Sequence, residues 1–396
     1  MKTPVDTTLP GSCGSCGIHR CHLNVEARYA GIALDRTAWL LDERWPEFDA
    51  WLGAENGCSS DVLLPRRGGA YDWRLPGASR PRSFPWLALQ RSLAFRRLGA
   101  QGAKRQQVLE DFDQRFAAAY GARLSPTVTH LVVWQNLLPF LYLDKTLGGR
   151  TYDVLLWRAP RHELHRTLAE AQAHYPQSPT LNDFRSSPRV LEAEQKALQG
   201  ARKIITPHAQ LARLFPEKTT REEWISPPAT PRSSGGRIAF LGPTLGRRGA
   251  YVVREAMRQL GLPFVVLGRN LEEPSFWQGM KVDERPLGPN AFEEIGLLIA
   301  PAITEFKPRN LLKALAQGIP VIATESCGLP PQPGLHFVDA FDADALARKI
   351  AGSARLFERD IRLMRASVAS GHPDNKSSGP SNFLHGVALG TLATAT

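Results

Sequence analysis

The stretch TEFKPRNLLKALAQGIPVIATESCG, residues 304–328, decides the fold. After Pro308 the segment RNLLKALAQ carries apolar residues at helical spacing, and Gly318 ends it, because glycine accepts the left-handed turn at a helix C-terminus. IPVIAT then reads as a strand buried on both faces. Loop, helix, tight turn and buried strand together make one unit of a parallel α/β sheet. Glu305 stands in the loop and Lys313 lies eight positions later, inside the helix. An acid at such a place either accepts hydrogen bonds from the hydroxyls of a bound sugar or serves as a plain carboxylate at a helix N-terminus.

The same alternation extends in both directions. Upstream, THLVVW (129–134), YDVLLWR (152–158) and RKIITP read as strands. The helices between them are LLPFLYLDKTL, RHELHRTLAEAQAHY and SSPRVLEAEQKALQGA, the last opened by a Ser-Pro start signal. HAQLARLF is a short helix. SPPATPRSSGG (226–236), without an apolar anchor, reads as a linker. Beyond it RIAFLG, PFVVLG and IPVIAT are strands, GAYVVREAMRQLG is a helix, and AFEEIGLLIAP is a helix followed by a strand. The region 31–125 is mixed: DVLLP (61–65) is a strand, residues 101–124 a helix, and the basic segment over 64–86 a long loop. The chain is thus expected to be α/β, with a Cys-rich leader (1–30), an N-terminal Rossmann-like domain (31–225), the linker, a C-terminal Rossmann-like domain (237–370) and a loose tail (371–396). Two such domains would face a cleft, with ligands at the carboxyl ends of the strands.

With 396 residues, 43% hydrophobic and 22% charged, the composition is that of a globular chain of about two domains. No apolar run reaches the roughly 18 residues that span a bilayer. MKTPVDTTLP lacks the apolar core of a secretion signal, so a cytoplasmic location is expected. The net charge of +11 favours anionic partners, or reflects an arginine-rich surface with no single partner.

FLGPTLGRRGAYVVREAM (240–257) runs from a strand through Gly242, Gly246 and Gly249 into a helix. Arg247 and Arg248 in that loop would clamp a diphosphate, aided by the helix dipole, or remain solvated cations of an ordinary turn. No Gly-Lys-Ser/Thr follows, which excludes a Walker A loop.

Taken together, these segments resemble the GT-B glycosyltransferases, in particular the large retaining nucleotide-sugar family of sucrose- and glycogen-synthase-like enzymes. The match is carried by Lys313-Ala-Leu-Ala-Gln-Gly-Ile-Pro-Val-Ile-Ala and covers roughly residues 125–350. The resemblance implies that Glu305 contacts the donor sugar and that Arg247 and Arg248 face its diphosphate. It also places Gly268, in VVLGRN (265–270), under the nucleotide base. Where the family holds the ribose with a second glutamate, this chain has Lys313, which donates hydrogen bonds and cannot accept them. Lys307, Arg309 and Asn310, around the start of the same helix, join Gly242 and Gly246 as candidate donor contacts. The implied activity is transfer of a sugar from a nucleoside diphosphate to an acceptor hydroxyl, with no bound metal required. The exchange at Lys313 equally suits a non-catalytic binding protein or scaffold on the same fold.

On the acceptor side, His130, His162 and His165 are candidate bases, or ordinary structural histidines. The loop LPRRGGAYDWRLPGASRPRSFPW interleaves arginines with Tyr71, Trp73, Phe84 and Trp86. It would grip an anionic acceptor, either lipid-linked at a peripheral membrane contact or nucleic acid such as a modified DNA base, unless its aromatics pack the domain. Cys13, Cys16, Cys21 and Cys58, with His19 and His22 in reserve, would hold a structural zinc or an iron–sulfur cluster, or belong to a leader without metal.

Overall fold

The computed structural model describes residues 36–54, 61–74, 80–98, 102–182, 185–229 and 235–353. Both sheets and the helices that join their strands belong to one compact unit, Met1–Ala351. The first half opens with β1 (Arg36–Leu40), α1 (Pro46–Ala54), β2 (Asp61–Leu64), β3 (Arg80–Ser83), α2 (Pro85–Arg96) and α3 (Ala103–Gly121). It continues with β4 (Val128–Trp134), α4 (Leu138–Leu143), β5 (Thr151–Leu155), α5 (Arg161–His174) and α6 (Pro188–Gly200). β6 (Lys203–Thr206), α7 (Ala209–Ala212) and β7 (Thr219–Arg221) complete it. The second half holds β8 (Arg237–Phe240), α8 (Ala250–Leu260), β9 (Phe264–Leu267), β10 (Val282–Arg285) and β11 (Ile295–Ala300). It ends with α9 (Arg309–Ala316), β12 (Val321–Ala323) and β13 (Leu335–Phe337), after which a last helix begins at 343.

All pairings in both sheets are parallel. The first sheet has the order β3-β2-β1-β4-β5-β6-β7 and the second β10-β9-β8-β11-β12-β13. Each therefore reverses direction once, between β1 and β4 and between β8 and β11, and leaves a crevice at that switch point. Strands such as Ile295–Ala300 are buried throughout, as helices on both faces require. Separate apolar clusters form the core of each half, with Trp45, Trp134 and Phe48 in the first and Leu298, Leu311 and Val321 in the second. This is the α/β, two-Rossmann architecture expected from the alternation of strands and helices.

Three local readings are corrected. AFEE, read as a helix, is a turn, because only four residues separate Asn290 from the first residue of β11. The supposed long loop over 64–86 contains β3 and the start of α2, and Pro85 is the first residue of that helix rather than a breaker. LLPFLYLDKTL is helical only to Leu143, after which Lys145 takes a left-handed conformation (φ 58°). The leader cysteines Cys13, Cys16, Cys21 and Cys58 lie outside the described residues, as does the tail.

One glycine is demanded by the architecture. Gly249, at the start of α8, has φ 80°, and a Cβ there would lie 2.1 Å from the carbonyl oxygen of Pro301, just beyond β11. Gly249→Ala is expected to lose well over about 1 kcal/mol of stability, since left-handed strain and a backbone clash act together. A urea midpoint unchanged from wild type would show that the loop and β11 do not meet so closely.

Candidate functional site

The second switch point is built from the loops after β8 and β11. The Arg247 carbonyl accepts hydrogen bonds from the amides of Ile303 (2.9 Å) and Thr304 (3.2 Å), which stitches the two loops together. Glu305 is buried, 6% exposed. Its Oε1 accepts the amides of Phe306 and Lys307, both at 2.9 Å, and its Oε2 pairs with Nη1 of Arg248. Burial and the neighbouring Arg247 bring the Arg248 guanidinium down to about 10, so it remains a cation at neutral pH. Gly242 and Gly268 permit close crossing of the strand ends: a Cβ on Gly242 would sit 2.9 Å from the Leu267 carbonyl oxygen, and one on Gly268 2.9 Å from Pro243 Cα.

The Gly246 amide does not face an open cleft. It donates to Glu272 Oε1 at 2.5 Å and to Thr180 Oγ1 at 3.1 Å. Ser178, Thr180 and Tyr251 donate hydroxyls to the same carboxylate. Glu272, which sequence reasoning missed, thus occupies the place expected of a phosphate at Gly246.

From the loop before α9 and from its first residue, cations cross to the carboxyl end of the first sheet. Lys307 Nζ donates to Glu43 at 2.6 Å. Arg309 donates to both oxygens of Glu47, at 2.6 and 2.5 Å, and Glu47 also accepts the Ile225 amide at 2.9 Å. Both cations lie over the Trp45 ring, Lys307 also over Trp157 and Arg309 over Trp224. The Phe306 ring meets Trp157 edge-on. Asn310 is half-buried in the first turn of α9. Lys313 donates to the Pro289 carbonyl (2.9 Å) and lies over the Phe292 ring, so its ammonium is tied to the segment before β11.

A cavity of about 600 Å³ opens where these cations meet the first switch point, lined by Asp42, Glu43, Trp45, Arg91, Trp134, Asn136, Trp157 and Lys307 among others. Arg91 holds Asp42 through two hydrogen bonds of 2.9 and 2.8 Å and donates to the Tyr71 hydroxyl. Among the described residues, the Asn136 Oδ1 and the Trp157 Nε1 are buried without a partner. Behind the cavity, Asp113 is also buried with neither oxygen paired. Burial and the Asp42 charge push its carboxyl up to about 7, against the pull of Arg161, Arg91 and Arg158.

The candidate histidines are not brought to this cleft. His130 sits near the amino end of β4, bonded to Thr151 and Arg202 and close to Asp153, at the opposite end of the strand from Trp134. His162 lies in the first turn of α5 beside a separate cavity of about 210 Å³. His165 accepts the Ser186 amide. His130 is thus at the wrong end of its parallel strand to reach the switch point, while His162 and His165, on α5 beyond the carboxyl end of β5, are not among the residues that line the cavity. The histidine that does join the halves is His208, in front of α7. Its Nε2 lies 3.2 Å from the Glu305 carbonyl oxygen and 3.1 Å from that of Ser326, so Nε2 carries the proton, while Nδ1 accepts the Leu211 amide. Nothing in TPHAQL distinguishes this residue in the sequence. The aromatic loop is likewise mostly internal: Trp73 donates to the Asp42 carbonyl and Phe84 packs on Tyr120, which leaves Trp86 exposed. Among the described residues no group of three or more His, Cys, Asp or Glu could hold a metal ion, and no described helix is long and apolar enough to cross a membrane.

Two parallel sheets of Rossmann order with their switch points opposed define the GT-B architecture. Among solved structures the chain is similar to a lipopolysaccharide outer core galactosyltransferase, WaaB, in its apo form, with 11% identity, TM-score 0.45 and coverage of 81% of this chain and 90% of that one. It is also similar to WaaG, a glycosyltransferase involved in lipopolysaccharide biosynthesis (16% identity, TM-score 0.41, coverage 81% and 90%). A third is a UDP-forming α,α-trehalose-phosphate synthase from Burkholderia vietnamiensis (13% identity, TM-score 0.42, coverage 85% and 97%). No family model and no curated protein matches the sequence.

The buried seam carries a pH signature. Burial lowers His208 from 6.5 to about 4, so between those values the unfolded chain binds a proton that the native state refuses. Stability therefore rises with pH through that window, by about 3 kcal/mol from this residue alone. Urea unfolding at pH 7 and pH 4.5 should show a larger difference for wild type than for His208→Gln. Equal differences would remove His208 from the seam.

Proposed function

We propose that the protein is a glycosyltransferase that moves a sugar from a nucleoside-diphosphate donor to a hydroxyl of an acceptor held in the cavity at the first switch point. The observation that carries this reading is the cavity itself. Tryptophan side chains and carboxylates lie in its lining, and Lys307 reaches into it from the second half. Sugar rings stack on aromatic faces, and their hydroxyls hydrogen-bond to carboxylates such as that of Glu43.

In the proposed reaction the bond from the anomeric carbon to the diphosphate oxygen breaks and the acceptor oxygen takes its place. The acceptor proton leaves with the departing phosphate. Arg248, Lys307 and Arg309 stabilise the charge that develops on that phosphate, with Arg247 beside them, and Glu305 holds Arg248 in place while addressing the donor sugar. Gly242 and Gly268 give the backbone crossing on which the donor would lie, and Asn310, with Lys313 once released from Pro289, would meet its ribose. No metal takes part in these steps. A zinc held by Cys13, Cys16, Cys21 and Cys58 would be structural.

The second reading, a non-catalytic binding or scaffold protein, is favoured by one set of contacts. Glu272, Glu305, Glu43 and Glu47 already pair with Gly246, Arg248, Lys307 and Arg309, and Lys313 is tied to Pro289.

A thermal-shift screen of nucleoside diphosphates and their sugar conjugates, followed by donor-hydrolysis assays, separates the two. A selective hit with turnover is expected, and Arg248→Gln should lower that turnover by about 100-fold or more. A folded protein stabilised by no nucleotide would favour the scaffold.

A further inference from the structure

We infer that the outer face of α2 is a docking surface for an anionic lipid bilayer. α2 has more apolar surface than its own fold uses. Ala88 and Arg91 are buried and, with Ser92 and Phe95, line the cavity, while Leu87 packs on the core. On the other side Trp86, Leu89 and Leu93 follow the i, i+3, i+7 spacing of a single stripe and are 70%, 46% and 43% exposed. Solitary exposed apolar residues are ordinary, but three in register on one helix, led by a tryptophan, are not.

Charge selects the occupant. Between Asp72 and Glu110 the sequence holds eight Lys or Arg and no Asp or Glu. Arg96 and Arg97, at the C-terminal end of the stripe, are exposed, as are Arg82 and Lys104 on neighbouring elements. Indole and leucine side chains seat at the boundary of headgroups and acyl chains, and flanking arginines meet lipid phosphates. A second copy of the same chain would bring the same cations together and repel them.

The apolar stripe and Arg97 take no part in the cavity lining, which Arg96 alone of these residues shares, so the inference goes beyond the glycosyl-transfer reading and survives its failure. It also leaves α2 as the wall between bilayer and cavity, with one face committed to each.

The experiment is co-sedimentation of the full chain with vesicles of phosphatidylcholine alone and with vesicles in which about a third of the lipid is phosphatidylglycerol. Binding to the anionic vesicles is expected, at least about tenfold weaker on neutral ones and weakened by salt. The triple change Trp86→Ser, Leu89→Ser and Leu93→Ser, all outside the core, should lower anionic binding by at least about tenfold while the thermal midpoint stays within a few degrees. Arg82→Glu with Arg97→Glu, neither in the cavity lining, should lower it similarly through charge. Wild-type protein that ignores anionic vesicles overturns the inference, as does a triple variant that binds them unchanged. A dimer in light scattering that the triple variant abolishes would also overturn it, because the stripe would then belong to a second copy. Protection of the stripe by the chain's own residues 1–35, seen as vesicle binding only after their removal, would overturn it for the full chain.

Discussion

Glu47 is the carboxylate on which the arrangement of the two halves depends. Its side chain is fully buried, and it takes both prongs of the Arg309 guanidinium, 262 residues further along the chain. A buried ion pair stabilises only when desolvation is offset by good geometry and further hydrogen bonds. Here the Ile225 amide supplies one of these, and the Trp45 and Trp224 rings shield the cation. The pair fixes where the start of α9 lies against α1. Once that is fixed, Lys307 reaches Glu43, Phe306 reaches Trp157, and the cavity at the first switch point gains a wall from the second sheet.

The same constraint governs the second switch point. Three groups suited to an anion there have a carboxylate of this chain against them: Glu272 on the Gly246 amide, Glu305 on Arg248, Glu43 on Lys307. A diphosphate entering the site would exchange places with at least one of them. Displacing Glu43 costs least, because that pair is solvent-exposed, whereas Glu272 is held by three hydroxyls as well as an amide. These carboxylates compete with an incoming anion, which shifts the arrangement only through its greater affinity for the opened one.

Much of the second half was legible because its signals are local. RNLLKALAQG followed by IPVIAT contains its own start, stop and buried strand, and GRRGAY marks the start of α8. The first hundred residues were harder to read. β1 and β3 are short, RTAWL and RPRS; β1 offers only three buried apolar residues after Arg36 and Thr37, and β3 is built of two arginines, a proline and a serine, so neither rises above the loops. α2 is apolar on two faces, which blurs its helical period. The site followed the same rule. Glu305 and Arg248 are adjacent to local motifs and were found. Glu47, Glu272 and His208 act across 262, 94 and 97 positions, and no pattern within one segment announces such partners. His130 went astray for a related reason: a residue type was read without asking which end of its strand faces the cleft.

The central claim is that the opposed switch points form one site for a nucleoside diphosphate and its acceptor. A crystal structure of the protein soaked with the nucleoside diphosphate that best raises its midpoint tests this most directly. The account predicts phosphates within hydrogen-bond distance of Arg248 and of Lys307 or Arg309, with the Lys307–Glu43 pair broken. A nucleotide bound elsewhere, with all the cross-half carboxylate pairs intact, would contradict it.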